Sequence, residues 1–179
     1  MLRLFVGLEL PGSVRQWLTS LQTDYPCVRW HTAENLHITL NFIGAFDCCR
    51  LAELTAVLSV VSTPSLTIKP KGVGYFGSFE RPLVIWAGVE PTAQLMALQE
   101  ELQKRLAAIG IAPEERGYVP HITLARVKHG DYLQRFLTRH AGTQYPPFVA
   151  DCICLYLSRR GEHGVEYQVL KRFPLSGYA

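Results

Sequence analysis

Apolar residues follow two rhythms along the chain, one of period two and one of three to four, and the alternation between them predicts its elements. Arg3 to Leu10 reads as a strand, after which Pro11-Gly12-Ser13 opens a helix with Ser13 as its candidate N-cap and Val14, Trp17, Leu18 and Leu21 as its apolar face. Val28 to His31 predicts a short strand, and the polar turn Thr32-Ala33-Glu34-Asn35 leads into a longer one, Leu36 to Ile43, closed by Gly44. Asp47 caps a second helix carrying Leu51, Leu54, Leu58 and Val61. Leu66 and Ile68 mark another strand, Gly72 to Gly77 a glycine-rich loop, and Leu83 to Val89 the strand that follows. Thr92 caps a third helix with a stripe of Leu95, Leu98, Leu102, Leu106 and Ile109, stopped by Gly110. Tyr118 to Val127 is a strand, Asp131 to His140 a short helix, and Phe148 to Ser158 an alternating strand. Gly161-Glu162-His163-Gly164 then forms a hairpin loop into Val165 to Leu170. Strands and helices mix without strict βαβ order, which predicts an α+β fold.

Two of these strands contain the same tetrapeptide, His37-Ile38-Thr39-Leu40 and His121-Ile122-Thr123-Leu124. Chance repetition of a His-led tetrapeptide in a chain this short has a probability of roughly one in a thousand. Because side chains alternate faces along a strand, His37 and Thr39 share one face while Ile38, Leu40 and Phe42 share the other. The second copy divides in the same way. Each copy thus anchors an apolar face in a core and presents an imidazole and a hydroxyl on the opposite side. One copy per half predicts an internally duplicated, two-lobed unit spanning residues 1–179.

With 179 residues and 48% hydrophobic content the chain supports a substantial core. Charged residues make up 18% and the net charge is +3, compatible with an anionic substrate without arguing for one. No apolar run reaches the roughly 18 residues of a membrane helix. Met1 to Leu10 holds Arg3 and Glu9 and lacks a small-residue cleavage site, so it reads as a first strand and not as a secretory signal. Five cysteines, at 27, 48, 49, 152 and 154, form an odd set without C-x-x-C spacing, and the expectation is a reduced cytoplasmic protein.

Two histidines in one cleft supply a neutral base and a charged acid at the same pH, since free imidazole titrates near 6.5. A phosphodiester needs such a pair, one group to activate the attacking water and one opposite to protonate the leaving oxygen. Thr39 and Thr123 would donate to the non-bridging oxygens. The scheme requires no metal and no cofactor; zinc on His37 and His121 is the competing use of the same side chains. Gly72 to Gly77 is not a Walker-type phosphate loop, because no G-K-[ST] follows. Neither His-Thr pair carries a G-x-S-x-G elbow or a cysteine-nucleophile signature.

The paired H-x-T-x strands resemble the 2H phosphoesterase superfamily, and in detail the RNA 2′,3′-cyclic phosphodiesterases, also called 2′-5′ RNA ligases. The likeness extends through Arg3 to Pro11, Asn35 to Gly44, Arg81 to Trp86, Pro120 to Arg126, Leu157 to Arg159 and Gly164 to Tyr167. It implies a bilobal α+β fold in which two antiparallel sheets, related by a pseudo-twofold axis, flank a central cleft with helices outside. It implies a monomer acting on RNA ends that carry 2′,3′-cyclic phosphate, tRNA halves among them. On this likeness His37 is the proton donor to the departing 3′ oxygen, His121 the base, Thr39 and Thr123 phosphate ligands, and Arg126 a substrate contact. Strict alternation puts Arg126 on the face opposite His121, so that role needs a twist or bulge. Tyr75 and Phe76 either stack a base or lie buried under their loop, Ser158 and Tyr167 match without an assignable role, and His31 and His129 default to the surface. A small cyclic phosphate such as ADP-ribose 1″,2″-cyclic phosphate, or RNA binding without turnover, are the competing readings.

Overall fold

The computed structural model describes residues 1–78, 83–128, 131–161 and 164–175. Arg81, Pro82, His129 and the Glu162-His163 tip of the expected hairpin lie outside the described residues. The strands are β1 (Leu2–Glu9), β2 (Val28–Trp30), β3 (His37–Phe46), β4 (Leu66–Ile68), β5 (Pro70–Phe76), β6 (Leu83–Val89), β7 (His121–Val127), β8 (Phe148–Ala150), β9 (Cys152–Gly161) and β10 (Gly164–Pro174). The helices are α1 (Gly12–Thr19), α2 (Leu51–Ser59), α3 (Ala93–Ala108) and α4 (Asp131–His140).

The fold is α+β with a large and a small sheet, both antiparallel. The large sheet has eight strands in the order β10-β9-β1-β3-β7-β6-β5, with β2 also paired to β7; β4 and β8 form the second sheet. Four strands lie on either side of the contact between β3 and β7, and that contact rests on a single register pair, Ile38 opposite Ile122. The second residues of the two tetrapeptides therefore mark the pseudo-twofold axis. Ile38, Leu40, Ile122 and Leu124 are buried in one core with Leu54 and Leu58 of α2 and with Leu95, Leu98, Leu102 and Leu106 of α3. Each such side chain contributes about 1.5–3 kcal/mol by leaving water. The helices thus cover one face of the central strands, and the histidines occupy the other.

Capping follows the sequence at two of three helices. The Thr92 hydroxyl accepts from the Leu95 amide at α3, and the Asp47 carboxylate accepts from the Cys49 amide at the 3-10 turn that runs into α2. Ser13 is not a cap: α1 begins at Gly12, one residue before it, with Pro11 two residues back at the N-cap position and no side-chain cap bond.

Four other expectations are corrected. The glycine-rich stretch from Gly72 is not a loop but most of β5; Gly74 pairs with Trp86, and a Cβ there would overlap the indole that lies across it. Phe148 to Ser158 breaks at Asp151 into β8, which pairs with β4, and β9, which pairs with β1 and β10. His31 is largely buried, because its amide bonds to the Leu124 carbonyl and continues the β2–β7 ladder. Phe42 does not share the face of Ile38 and Leu40, and is 63% exposed. The register of β3 on β1 skips Leu40, so a bulge reverses the alternation: Asn41 turns inward and Phe42 outward.

Candidate active site

The second motif strand bulges at the equivalent residue. Ile85 pairs with Ala125 and Trp86 with Thr123, so Leu124 has no partner on β6. Ala125 is therefore buried beside Leu124, and Arg126 emerges exposed on the face of His121 and Thr123. The bulge that Arg126 requires is present.

Each imidazole is held by the same local device. His37 Nδ1 lies 2.7 Å from the Asn35 carbonyl and His121 Nδ1 lies 2.7 Å from the Val119 carbonyl, in both cases the residue two before it. A carbonyl only accepts, so each Nδ1 carries the proton and each Nε2 presents its lone pair to the site. The antiparallel sense of the Ile38–Ile122 pair sets His37 toward Thr123 and His121 toward Thr39 across the axis. On its own strand Thr39 Oγ1 is also 3.0 Å from His37 Nε2. All four motif side chains are partly buried.

The environments of the rings differ. His37 is enclosed by Phe5, Tyr156 and Tyr167, with centroids at 4.7, 5.4 and 4.9 Å. His121 packs against Phe76 at 4.9 Å and Trp86 at 6.2 Å. Phe76 thus supports the second imidazole from β5. Burial pushes His37 down to about 4, assisted by charge on His31, His121 and Arg15 and opposed by its bond to Asn35. His121 is also lowered by burial, against its bond to Val119.

Asn35 is a residue of the candidate site that spacing alone does not single out. Besides receiving His37 Nδ1–H on its carbonyl, its carboxamide donates to the Val165 carbonyl (2.8 Å) and accepts from the Tyr167 amide (3.0 Å), tying the turn before β3 to β10. Its place two residues before a motif histidine is the signal that could have found it. Tyr167 gains a role by the same contact, as the edge-on wall of His37, while nothing in the structure assigns one to Ser158. Tyr118 donates its hydroxyl to the Thr39 carbonyl at 3.0 Å, bracing the first motif from the segment before the second.

Two groups of three metal-ligating side chains occur among the described residues, Glu9-Cys152-Cys154 and Asp47-Cys48-Cys49. Neither includes a motif histidine. Glu9 is already held by Arg172, with oxygens at 2.6 and 2.9 Å from its guanidinium, and that bond holds its carboxyl below the usual range. All five cysteines are free thiols.

A family model described as the 2′-5′ RNA ligase superfamily matches residues 10–163. The chain is 36% identical over 152 residues to an RNA 2′,3′-cyclic phosphodiesterase of Thermotoga maritima, covering 83% of this chain and 80% of that one. To its namesake in Methanocaldococcus jannaschii it is 29% identical over 96% of this chain and all of the other. Among solved structures, TT0787 of Thermus thermophilus superposes with a TM-score of 0.83 at 25% identity over 99% of this chain and 100% of that one. Escherichia coli LigT complexed with 3′-AMP superposes at 0.79 and 24% identity, covering 97% and 98%, a likeness of fold.

Proposed function

Given that the chain belongs to the 2′-5′ RNA ligase superfamily, we propose that it hydrolyses terminal 2′,3′-cyclic phosphates on RNA to 2′-phosphates with its histidine pair. Relatives bear the name RNA 2′,3′-cyclic phosphodiesterase, but the observation that carries the reading is internal. Two imidazoles, each locked through Nδ1 so that Nε2 carries the lone pair, stand either side of one axis, with Thr39 on the Nε2 of His37 and one threonine of the pair opposite each ring.

Phosphorus sits on the axis, its non-bridging oxygens on Thr39 and Thr123. His121 Nε2 takes a proton from water as the water oxygen bonds to phosphorus; the P–O3′ bond breaks, and His37 Nε2–H delivers its proton to O3′. The phosphate remains on O2′. The pair finishes with its protonation exchanged and resets through solvent. Substituting an RNA 5′-hydroxyl for the water gives 2′-5′ ligation by the same steps, with tRNA halves as one substrate of that kind. Arg126, on the same face, offsets phosphate charge.

His37 is assigned the acid because Arg126 stands at its end of the site: in an antiparallel pair the residues after Thr123 run past the start of β3. Phosphate-bearing chain lies there, and O3′ with it. Burial makes His37 a reluctant acid in the free protein, and a bound phosphate anion raises it. His121, on the side of Phe76, faces the water. We place the protein in the cytoplasm as a monomer, where five free thiols stay reduced.

The test is incubation with an oligoribonucleotide ending in 2′,3′-cyclic phosphate, in excess EDTA, with identification of the product terminus. A 2′-phosphate is expected. A 3′-phosphate would reverse the orientation, and no turnover would overturn the reading in favour of a small cyclic phosphate or of binding alone.

A further inference from the structure

The cavity of about 440 Å³ beside His37, walled by residues of β2, β7 and β10, belongs to the candidate site. A second cluster of reactive side chains lies outside it, where the end of β1 meets the start of β9. Cys152 and Cys154 are two apart on β9 and share a face, and the antiparallel register that pairs Gly7 with Cys154 carries Glu9 to the same place. None of the three takes part in the proposed reaction.

The distances within this cluster fit a metal ion. Cys152 Sγ and Cys154 Sγ are 3.9 Å apart, Cys154 Sγ is 3.5 Å from Glu9 Oε2, and the three ligand atoms all lie within 4.8 Å of one another. A tetrahedral zinc ion, with bonds of about 2.3 Å to sulfur and about 2.0 Å to oxygen, sets S···S at about 3.8 Å and S···O at about 3.5 Å. A disulfide instead needs its sulfurs about 2.05 Å apart.

The carboxylate is already oriented for this use. Arg172 donates to both its oxygens, at 2.6 and 2.9 Å, and Arg15 of α1 lies 3.6 Å from Oε1. A carboxylate offers about four lone-pair sites, so these bonds leave room on Oε2 and hold it toward Cys154, as outer partners hold the ligands of metal sites. The Cys154 S–H bond to Oε2 is the one an ion replaces. A dication that displaces both thiol protons leaves the charge of the cluster unchanged, and the two arginines go on offsetting Glu9. Half-buried Glu9 and Cys152 open a way in to buried Cys154.

We infer that Glu9, Cys152 and Cys154 form a site for one thiophilic dication of the zinc type, with three protein ligands and a fourth position left to water. The ion bridges β1 and β9. Cys154 packs in one cluster with Phe5 and Tyr156, two of the rings that enclose His37, so the bridge braces that wall of the candidate site. Binding does not rest on the proposed hydrolysis and supplies no step of it.

The experiment titrates reduced, chelator-stripped protein with Co²⁺, a spectroscopic probe for zinc sites, in wild type, Cys152→Ser and Glu9→Gln. A Cys48→Ser/Cys49→Ser double variant removes the exposed trio at Asp47 and serves as control. Wild type and control should each bind one equivalent, with a thiolate-to-cobalt charge-transfer band and the visible bands of a four-coordinate ion, and Zn²⁺ should erase both. The four-coordinate spectrum should be lost in Cys152→Ser and binding should weaken in Glu9→Gln. Two thiol protons leave, so affinity should fall by up to about 100-fold for each pH unit lost. Burial pushes both thiols up, Cys152 with help from the charge of Asp151, so that slope extends through neutral pH. Circular dichroism of metal-free Cys152→Ser checks that its fold is intact; should it not fold, Glu9→Gln carries the same test. No charge-transfer band in wild type, a band that survives unchanged in Cys152→Ser and Glu9→Gln, or one that disappears in the control would overturn the site.

Discussion

The two motif strands share four residues, a histidine tautomer, a carbonyl anchor two residues back and a bulge at the fourth position, and then part company. After the bulge the first strand offers Phe42 to the open face and the second offers Arg126. Around the rings, His37 lies in a box of three aromatic side chains with Thr39 on its Nε2, whereas His121 rests against Phe76 and Trp86 with no such bond to Thr123 among the described residues. Identical tetrapeptides therefore sit in different surroundings, although burial lowers both rings. A symmetric backbone supplies two copies of one device, and on the proposed mechanism side chains outside the repeat would decide which copy gives a proton and which takes it.

The largest expected effect comes from removing either ring. His37→Ala and His121→Ala should each lower kcat by about 10²–10⁴-fold on a cyclic-phosphate RNA end, measured in single-turnover assays; near-normal rates in either would end the two-histidine mechanism. Thr39→Val and Thr123→Val should each cost about 10²-fold through the lost phosphate contact. They should differ in pH dependence: donation from Thr39 favours neutral His37, so only Thr39→Val moves the limb belonging to that histidine, and moves it to higher pH. Superimposable profiles for the two variants would erase the distinction drawn between the halves.

The enclosure of His37 also predicts how the wild type responds to pH. In kcat/KM, which reports free protein, the His37 limb lies near 4; in kcat the bound phosphate raises it, so the alkaline limb of kcat falls at higher pH. Coincident limbs would contradict this. For stability the sign follows from linkage. A histidine at 6.5 when unfolded and about 4 when folded binds protons first in the unfolded chain, so stability is full above about 6.5. It declines as pH falls toward 4, by up to about 3 kcal/mol for His37. Urea midpoints across this range should fall less in His37→Gln than in wild type, though not to zero, because His31 is depressed to about 4 by its own burial. The smallest effect belongs to the bulge: Phe42→Ser should change stability by under about 0.5 kcal/mol, against about 2–5 kcal/mol for Leu40→Ala two residues earlier. A large loss in Phe42→Ser would mean that the residue packs inward after all.

Helix positions and both motif strands were legible in the sequence because their signals are local: a 3.6-residue stripe, a threonine or aspartate before it, a repeated tetrapeptide. Glycine density misled at Gly72 to Gly77, because Gly74 serves the close approach of Trp86 across a ladder and not a turn. Strict alternation misled at Phe42 for a different reason. A bulge is set by how a strand meets its neighbour, and nothing at Leu40 itself announces one; at Arg126 it could be inferred only from the demand that the residue reach the site. The cavity was out of reach in principle, since its walls come from residues 29–35, 126 and 164–167, which only the fold brings together. Asn35 stood in plain view before His37, but its grip on β10 spans 130 positions of sequence.

The matched bulges have a further consequence, for how such a protein changes over generations. Because both strands reverse at the fourth residue, the sixth residue of each copy reaches the working face without touching the core that the second and fourth hold. Each repeat is therefore a cassette with four fixed places and, at the sixth, an open one. On the proposed function, mutation at the open place, Phe42 in one copy and Arg126 in the other, would alter what is recognised at little expected cost to the fold, since both side chains are exposed. A duplicated gene of this design can diverge in substrate one residue at a time.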